Sequence, residues 1–150
     1  MKKFSFSLER VLNYKEQVEQ SLRNEHGQAV KKVRDKEEQI SGLEDEFVQY
    51  RDKAGLDETR QISVARLRGR SDYMNVLIGR IRNEKMALGE LKKQEEQKRE
   101  EVIHAKQETS SIQMLKEKKR QEYDAAEEKA RELEIEEFVS NRMISAKGKD

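Results

Sequence analysis

The sequence contains no proline, no cysteine and no tryptophan. Proline averages about 5% of residues, so roughly seven would be ordinary in a chain of this length. A proline inside a helix costs about 3 kcal/mol, so a chain without any can form very long uninterrupted helices. The absence of cysteine excludes disulfides, thiol catalysis and cysteine-ligated zinc, and it fits a reducing compartment. No apolar run approaches the roughly 20 residues needed to span a bilayer. The opening Met1-Lys2-Lys3-Phe4-Ser5-Phe6 begins like a secretion signal, but Glu9 and Arg10 interrupt the apolar stretch that such a signal requires. The sequence therefore predicts a cytoplasmic protein with no direct membrane insertion.

Hydrophobic residues are also scarce, at 33%, while charged residues reach 42%. A compact domain is nearer one quarter charged and almost half apolar. There is too little apolar surface for a broad core, but enough for a stripe along a helix. Low hydrophobicity alone would favour disorder. The net charge of only +1 and the regular apolar spacing favour order.

That spacing is heptad-like. In the first third, seam positions fall at Leu8, Val11, Lys15, Val18, Leu22, His26, Ala29, Val33, Lys36, Ile40, Leu43, Phe47, Tyr50 and Ala54. The steps alternate three and four, as in a coiled coil. One stutter, Val18 to Leu22 to His26, locally unwinds the supercoil. In the second half the same alternation runs through Leu77, Ile81, Glu84, Leu88, Leu91, Glu95, Lys98, Val102, Ala105, Thr109, Ile112, Lys116, Lys119, Tyr123, Ala126, Ala130 and Leu133, and its chemistry weakens at Glu95–Lys98 and Lys116–Lys119. The pattern predicts one domain with helix 1 over about 7–54, a turn at about 55–62, helix 2 over about 63–140 and a disordered tail at 145–150. Gly55 is the candidate left-handed residue that ends helix 1. Asp57 or Thr59 is the candidate cap of helix 2. The glycines within the helices, Gly27, Gly42, Gly79 and Gly89, are either tolerated flaws or flat places for contact with a partner.

Charge decides how the helices pair. Residues 1–35 carry a net +3, residues 36–61 a net −4, residues 62–93 a net +5 and residues 94–150 a net −3. Folding at the turn sets −4 beside +5 and +3 beside part of −3. The fold class this predicts is all-α: two long helices in an antiparallel coiled-coil hairpin, the second longer than the first. If residue 54 faces about 62, then 47 faces about 69, 50 about 66 and 26 about 90. Some 30 residues of helix 2 then project beyond helix 1 unless the N-terminal segment folds back over them.

The chemistry of catalysis is missing. The two histidines, His26 and His104, are far apart in a hairpin, and a metal site needs clustered ligands. Paired glutamates such as Glu95–Glu96 and Glu136–Glu137 have no pocket to separate their pKa values. There is no phosphate-binding loop and no nucleophile elbow. The expectation is a protein that is not an enzyme and takes no cofactor and no metal. The stretch with Arg66, Arg68, Arg70, Arg80 and Arg82 is broken by Asp72 and Glu84 and is complemented by the acidic limb, so no nucleic-acid partner is expected.

The aromatics point to proteins as partners. Phe47, Tyr50 and Tyr73 gather near the turn, where they either contact a partner or fill the seam beneath it. Phe4, Phe6 and Phe138 lie at the other end, where two helices have little to cover them.

The opening Phe4-x-Phe6-x-Leu8-Glu9-x-Val11-Leu12-x-x-Lys15-Glu16 resembles the start of the flagellar export proteins of the FliJ family. Leu43-x-x-x-Phe47-x-x-Tyr50-Arg51 before the turn and Tyr73-Met74-x-x-Leu77-x-x-x-Ile81 after it are similar to that family as well. The resemblance implies a stalk-like component of the type III flagellar export apparatus. Such a component inserts into the hexameric export ATPase, promotes its assembly and activity, and contacts the cytoplasmic domain of the export-gate membrane protein and export chaperones. It would be held peripherally at the cytoplasmic face of the inner membrane through those partners. A gate-binding surface is implied at Gln39, Leu43, Phe47, Tyr50, Tyr73 and Leu77. A ring-binding surface at the open end would use Phe4, Phe6, Leu8, Leu133, Phe138 and Val139. This chain has Glu46 and Glu84 where other members carry an aromatic or a histidine. The alternative from another class is a structural or dimerising coiled-coil scaffold with no ATPase partner.

Overall fold

In a computed structural model, residues 2–57 and 62–149 are described. Two helices account for nearly all of them: α1, Glu9–Asp57, and α2, Val64–Lys147. They pack against each other as an antiparallel hairpin whose second helix is the longer, 84 residues against 49. Among the described residues there is no strand.

The helix ends follow from local chemistry. The chain turns at Ser7–Leu8 before the first helix. There the Glu9 N–H donates to the Phe6 carbonyl (3.2 Å) and the Leu12 N–H to the Leu8 carbonyl (2.9 Å). Glu9 in the first turn complements the positive end of the helix dipole. Ser63 caps α2: its Oγ accepts from the Arg66 N–H at 3.3 Å, satisfying a donor that the helix itself leaves free. Among the described residues Ser63 is therefore the cap of the second helix, and Asp57 is the last residue of α1; Thr59, the other candidate cap, lies outside the described residues. Gly55 does not end α1. The helix runs through it to Asp57, and no described glycine has a positive φ. At the far end α2 continues past about 140 to Lys147, where the Gly148 N–H closes on the Ile144 carbonyl (3.1 Å).

Packing divides the chain into two compact units, Gln20–His104 and Met1–Glu19 with Ala105–Asp150. In the first, Ile40 and Leu77 are buried. Flanking them, the heptad positions from Leu22 to Ala54 and from Leu77 to Lys98 are half-buried or better. The polar members of the seam pair across it: His26 Nε2 with Glu95 at 2.8 Å, Lys36 with Glu84 at 2.6 Å, Lys98 with Glu25 at 2.9 Å. In the second unit the core is Leu12, Ala105 and Thr109, whose hydroxyl donates to the Ala105 carbonyl at 3.0 Å. Lys15 meets Glu108 at 2.8 Å and Lys116 meets Glu9 at 2.8 Å.

Two sequence expectations change here. Leu12 is buried (3% exposed) where Val11 was expected, and Val11 is 41% exposed. From Lys15 on, the expected positions Lys15, Val18 and Leu22 are half-buried, so only the first turn departs from the spacing. The register also slides. His26 meets Glu95 and Tyr50 meets Tyr73, each five to seven residues farther along α2 than expected. A slip of one heptad leaves every seam position a seam position, so hydrophobic spacing tolerates either register. The cross-seam ion pairs select between them.

Candidate partner-binding surfaces

The turn-proximal patch lies within the unit Gln20–His104. Tyr50 and Tyr73 pack with ring centroids 4.7 Å apart at 55°, the tilted geometry that aromatic quadrupoles favour. The Tyr73 hydroxyl donates to the Glu46 carboxylate. That bond, with partial burial, raises the pKa of Tyr73 above its ordinary value, because it stabilises the protonated phenol beside an anion. Leu43, Phe47, Tyr50 and Tyr73 are all half-buried, and Gln39 is exposed, accepting from Lys36 at 3.1 Å. Leu77 has no exposed surface and supports the patch from beneath. Glu46 and Glu84, the two departures from the family pattern, are both engaged inside the hairpin, by Tyr73 and Lys36.

The open end belongs to the other unit. Residues 2–6 are non-helical and lie beside α2. Phe4 packs on Tyr123 (5.5 Å between centroids), the Arg120 guanidinium lies 5.1 Å from the Phe4 ring centre, and the Tyr123 hydroxyl donates to the Lys2 carbonyl at 2.7 Å. The N-terminal segment thus continues the antiparallel course of α1 and extends the cover of α2 from Lys116 to Tyr123. Phe6 is half-buried and Leu8 is 37% exposed, and both line a cleft with Leu115 and Lys119. Arg120 and its partnership with Tyr123 escaped the sequence reading. The only signal was an aromatic at a seam position facing two N-terminal phenylalanines.

Leu133, Phe138 and Val139 are not beside Phe4 and Phe6. Phe138 lies fifteen residues beyond Tyr123, roughly 22 Å along the helix. All three are exposed, at 54%, 65% and 46%. From residue 131 onward every described side chain of α2 is exposed.

Electrostatics at the seam are local. Glu95 is held below the usual glutamate range, first by the hydrogen bond from His26 and then by that from Arg99. Lys15 is raised by its hydrogen bond to Glu108, and Lys98 by those to Glu25 and Glu101. Among the described residues no three potential metal ligands gather, and no helix is long and apolar enough to cross a membrane.

The fold defines a class: an antiparallel coiled-coil hairpin whose second helix is the longer. The chain belongs to the family of flagellar FliJ proteins, whose model matches residues 4–148, and the family is a non-catalytic component of the flagellar export apparatus. No curated protein and no solved structure matches it.

Proposed function

We propose that this chain is a non-enzymatic stalk of the flagellar export apparatus. It engages the hexameric export ATPase through its open end, promotes ring assembly and ATP turnover, and connects the ring to the cytoplasmic domain of the export gate and to export chaperones. The observation that carries the reading is the bare end of α2. Cover from α1 stops near Lys116, the N-terminal segment extends it to Tyr123, and beyond 130 a single helix exposes Leu133, Phe138 and Val139. A single helix is narrow enough to enter the hole of a six-membered ring. One asymmetric helix cannot contact six identical subunits identically. It therefore biases them into different states, to the extent that its contact energies differ among those states. The patch around Leu43, Phe47, Tyr50 and Tyr73, with Gln39 at its edge, is the proposed gate-facing surface.

The test is ATP turnover by the export ATPase at concentrations below ring assembly. Full-length protein is expected to raise turnover, and protein ending at residue 133 to leave it at the basal rate while still binding the export gate. Equal turnover with and without the full-length chain would remove the stalk and leave an adaptor.

A further inference from the structure

The apolar face of α2 changes sides near its end. Up to Ala130 the half-buried positions at this end of α2 are Lys116, Tyr123, Glu127 and Ala130, while Lys119, Ala126 and Leu133 are exposed. Continued at the same spacing, that face runs through Glu134, Glu137 and Asn141, all polar. The apolar residues Ile135, Phe138, Val139 and Met143 instead lie on another side of the helix. At about 100° per residue this stripe is centred roughly 130° around the helix from the half-buried face. All four are exposed, at 58%, 65%, 46% and 66%. The spacing i, i+3, i+4, i+8 is that of a helix laid into a groove.

The stripe is bordered by acid. Glu132 and Glu136 flank one side and Glu134 the other, and residues 127–137 carry six acidic and two basic side chains, a net −4. A second copy of this chain would bring the same charge against itself. The hairpin does not cover the stripe either, since every described side chain of α2 from residue 131 onward is exposed.

We propose that this outer face is a docking site for a protein surface with an apolar groove and basic rims, engaged from outside while the hairpin stays closed. Arg142 enters the face one turn after Phe138 and calls for an acceptor at that end of the groove. The inference rests on the stalk reading for the choice of partner to test. It goes beyond that reading in naming the face and the chemistry of what it meets.

The experiment measures binding of the full chain to the assembled export ATPase, together with ATP turnover in the same samples. A stripe variant carries I135Q, F138Q, V139Q and M143Q; glutamine is a good helix former, so helicity should persist and is checked by circular dichroism. The control is I144Q, which removes an equally exposed apolar side chain (69%) from the other face. A rim variant carries E132Q, E134Q and E136Q. Expected results are binding weakened about 30-fold or more by the stripe variant and less than about twofold by the control. The rim variant should bind about tenfold more weakly at low salt and respond less to added salt. If wild type stimulates turnover and the stripe variant binds equally well, the docking face is wrong and the stalk reading stands. If wild type binds without stimulating and the stripe variant loses binding, the face is right and the stalk reading falls. Absence of wild-type binding overturns both. Equal losses for stripe and control also overturn the proposal, as does a wild-type dimer in sedimentation that the stripe variant abolishes.

Discussion

Glu95 is reached by both His26 and Arg99, at 2.8 Å each. Its depressed pKa means that its contribution to stability is full above the unfolded-state glutamate pKa and is lost as pH falls through the folded value. Lys15, Lys98 and Tyr73 have raised values. Their contributions are full below the unfolded pKa of each group and are lost as pH rises through the folded one. The melting temperature is therefore expected to form a plateau through neutrality that falls at both ends. E95Q should flatten the acid limb, and Y73F the alkaline limb. An unchanged acid limb in E95Q would show that another carboxylate governs it. Tyr50 and Tyr73 contribute as a pair. Single alanine changes are expected to cost about 1–2 kcal/mol each, with a coupling of about 0.5–1.5 kcal/mol in a double-mutant cycle. Gate binding measured on Y50F, which keeps the ring, separates packing from recognition.

At the scale of the element, the helices have two kinds of adjustable residue. Ser63 caps α2, so S63A should lower stability by about 1 kcal/mol. The glycines act in the opposite direction. A Cβ built on Gly42 meets nothing within 4 Å, so no contact within the hairpin requires a glycine there. G42A is expected to stabilise the hairpin by about 1 kcal/mol in thermal or denaturant unfolding. If it stabilises and also weakens a partner, the flat place serves that partner.

Much of this was legible in the residues. Absent proline and the three-four spacing define two helices, and the alternating block charges orient them antiparallel. Nearly every heptad position from Leu22 to Ala54 is indeed covered. The register was not legible, because a one-heptad slip preserves the apolar pattern, and only the pairing of Lys36 with Glu84 and His26 with Glu95 distinguishes the alternatives. Gly55 misled for a physical reason: glycine tolerates a left-handed turn but does not demand one, and α1 passes through it. The aromatic residues of both surfaces were identifiable, but not their neighbours. Phe4 meets Tyr123 and Arg120 through a non-helical segment, whose contacts helical spacing does not describe.

For the molecule as a whole, the decisive feature is how little each unit buries. Five described side chains fall below one tenth exposure: Leu12, Ile40, Leu77, Ala105 and Thr109. Much of the rest of the seam consists of charged rungs such as Lys36–Glu84 and Lys98–Glu25, still about a quarter to a half exposed, and pairs of that kind add little apiece. Such a seam specifies its register well but adheres weakly. A partner that binds only the closed hairpin adds its binding free energy to folding by mass action, and whatever unfolds in the cell is removed by proteases. The abundance of the chain should consequently follow the abundance of its partners. In a pulse-chase experiment, copies made in excess of the export machinery are expected to disappear faster than assembled ones, and equal lifetimes would contradict this. A thin seam then acts as a device for stoichiometry, since copies in surplus do not last.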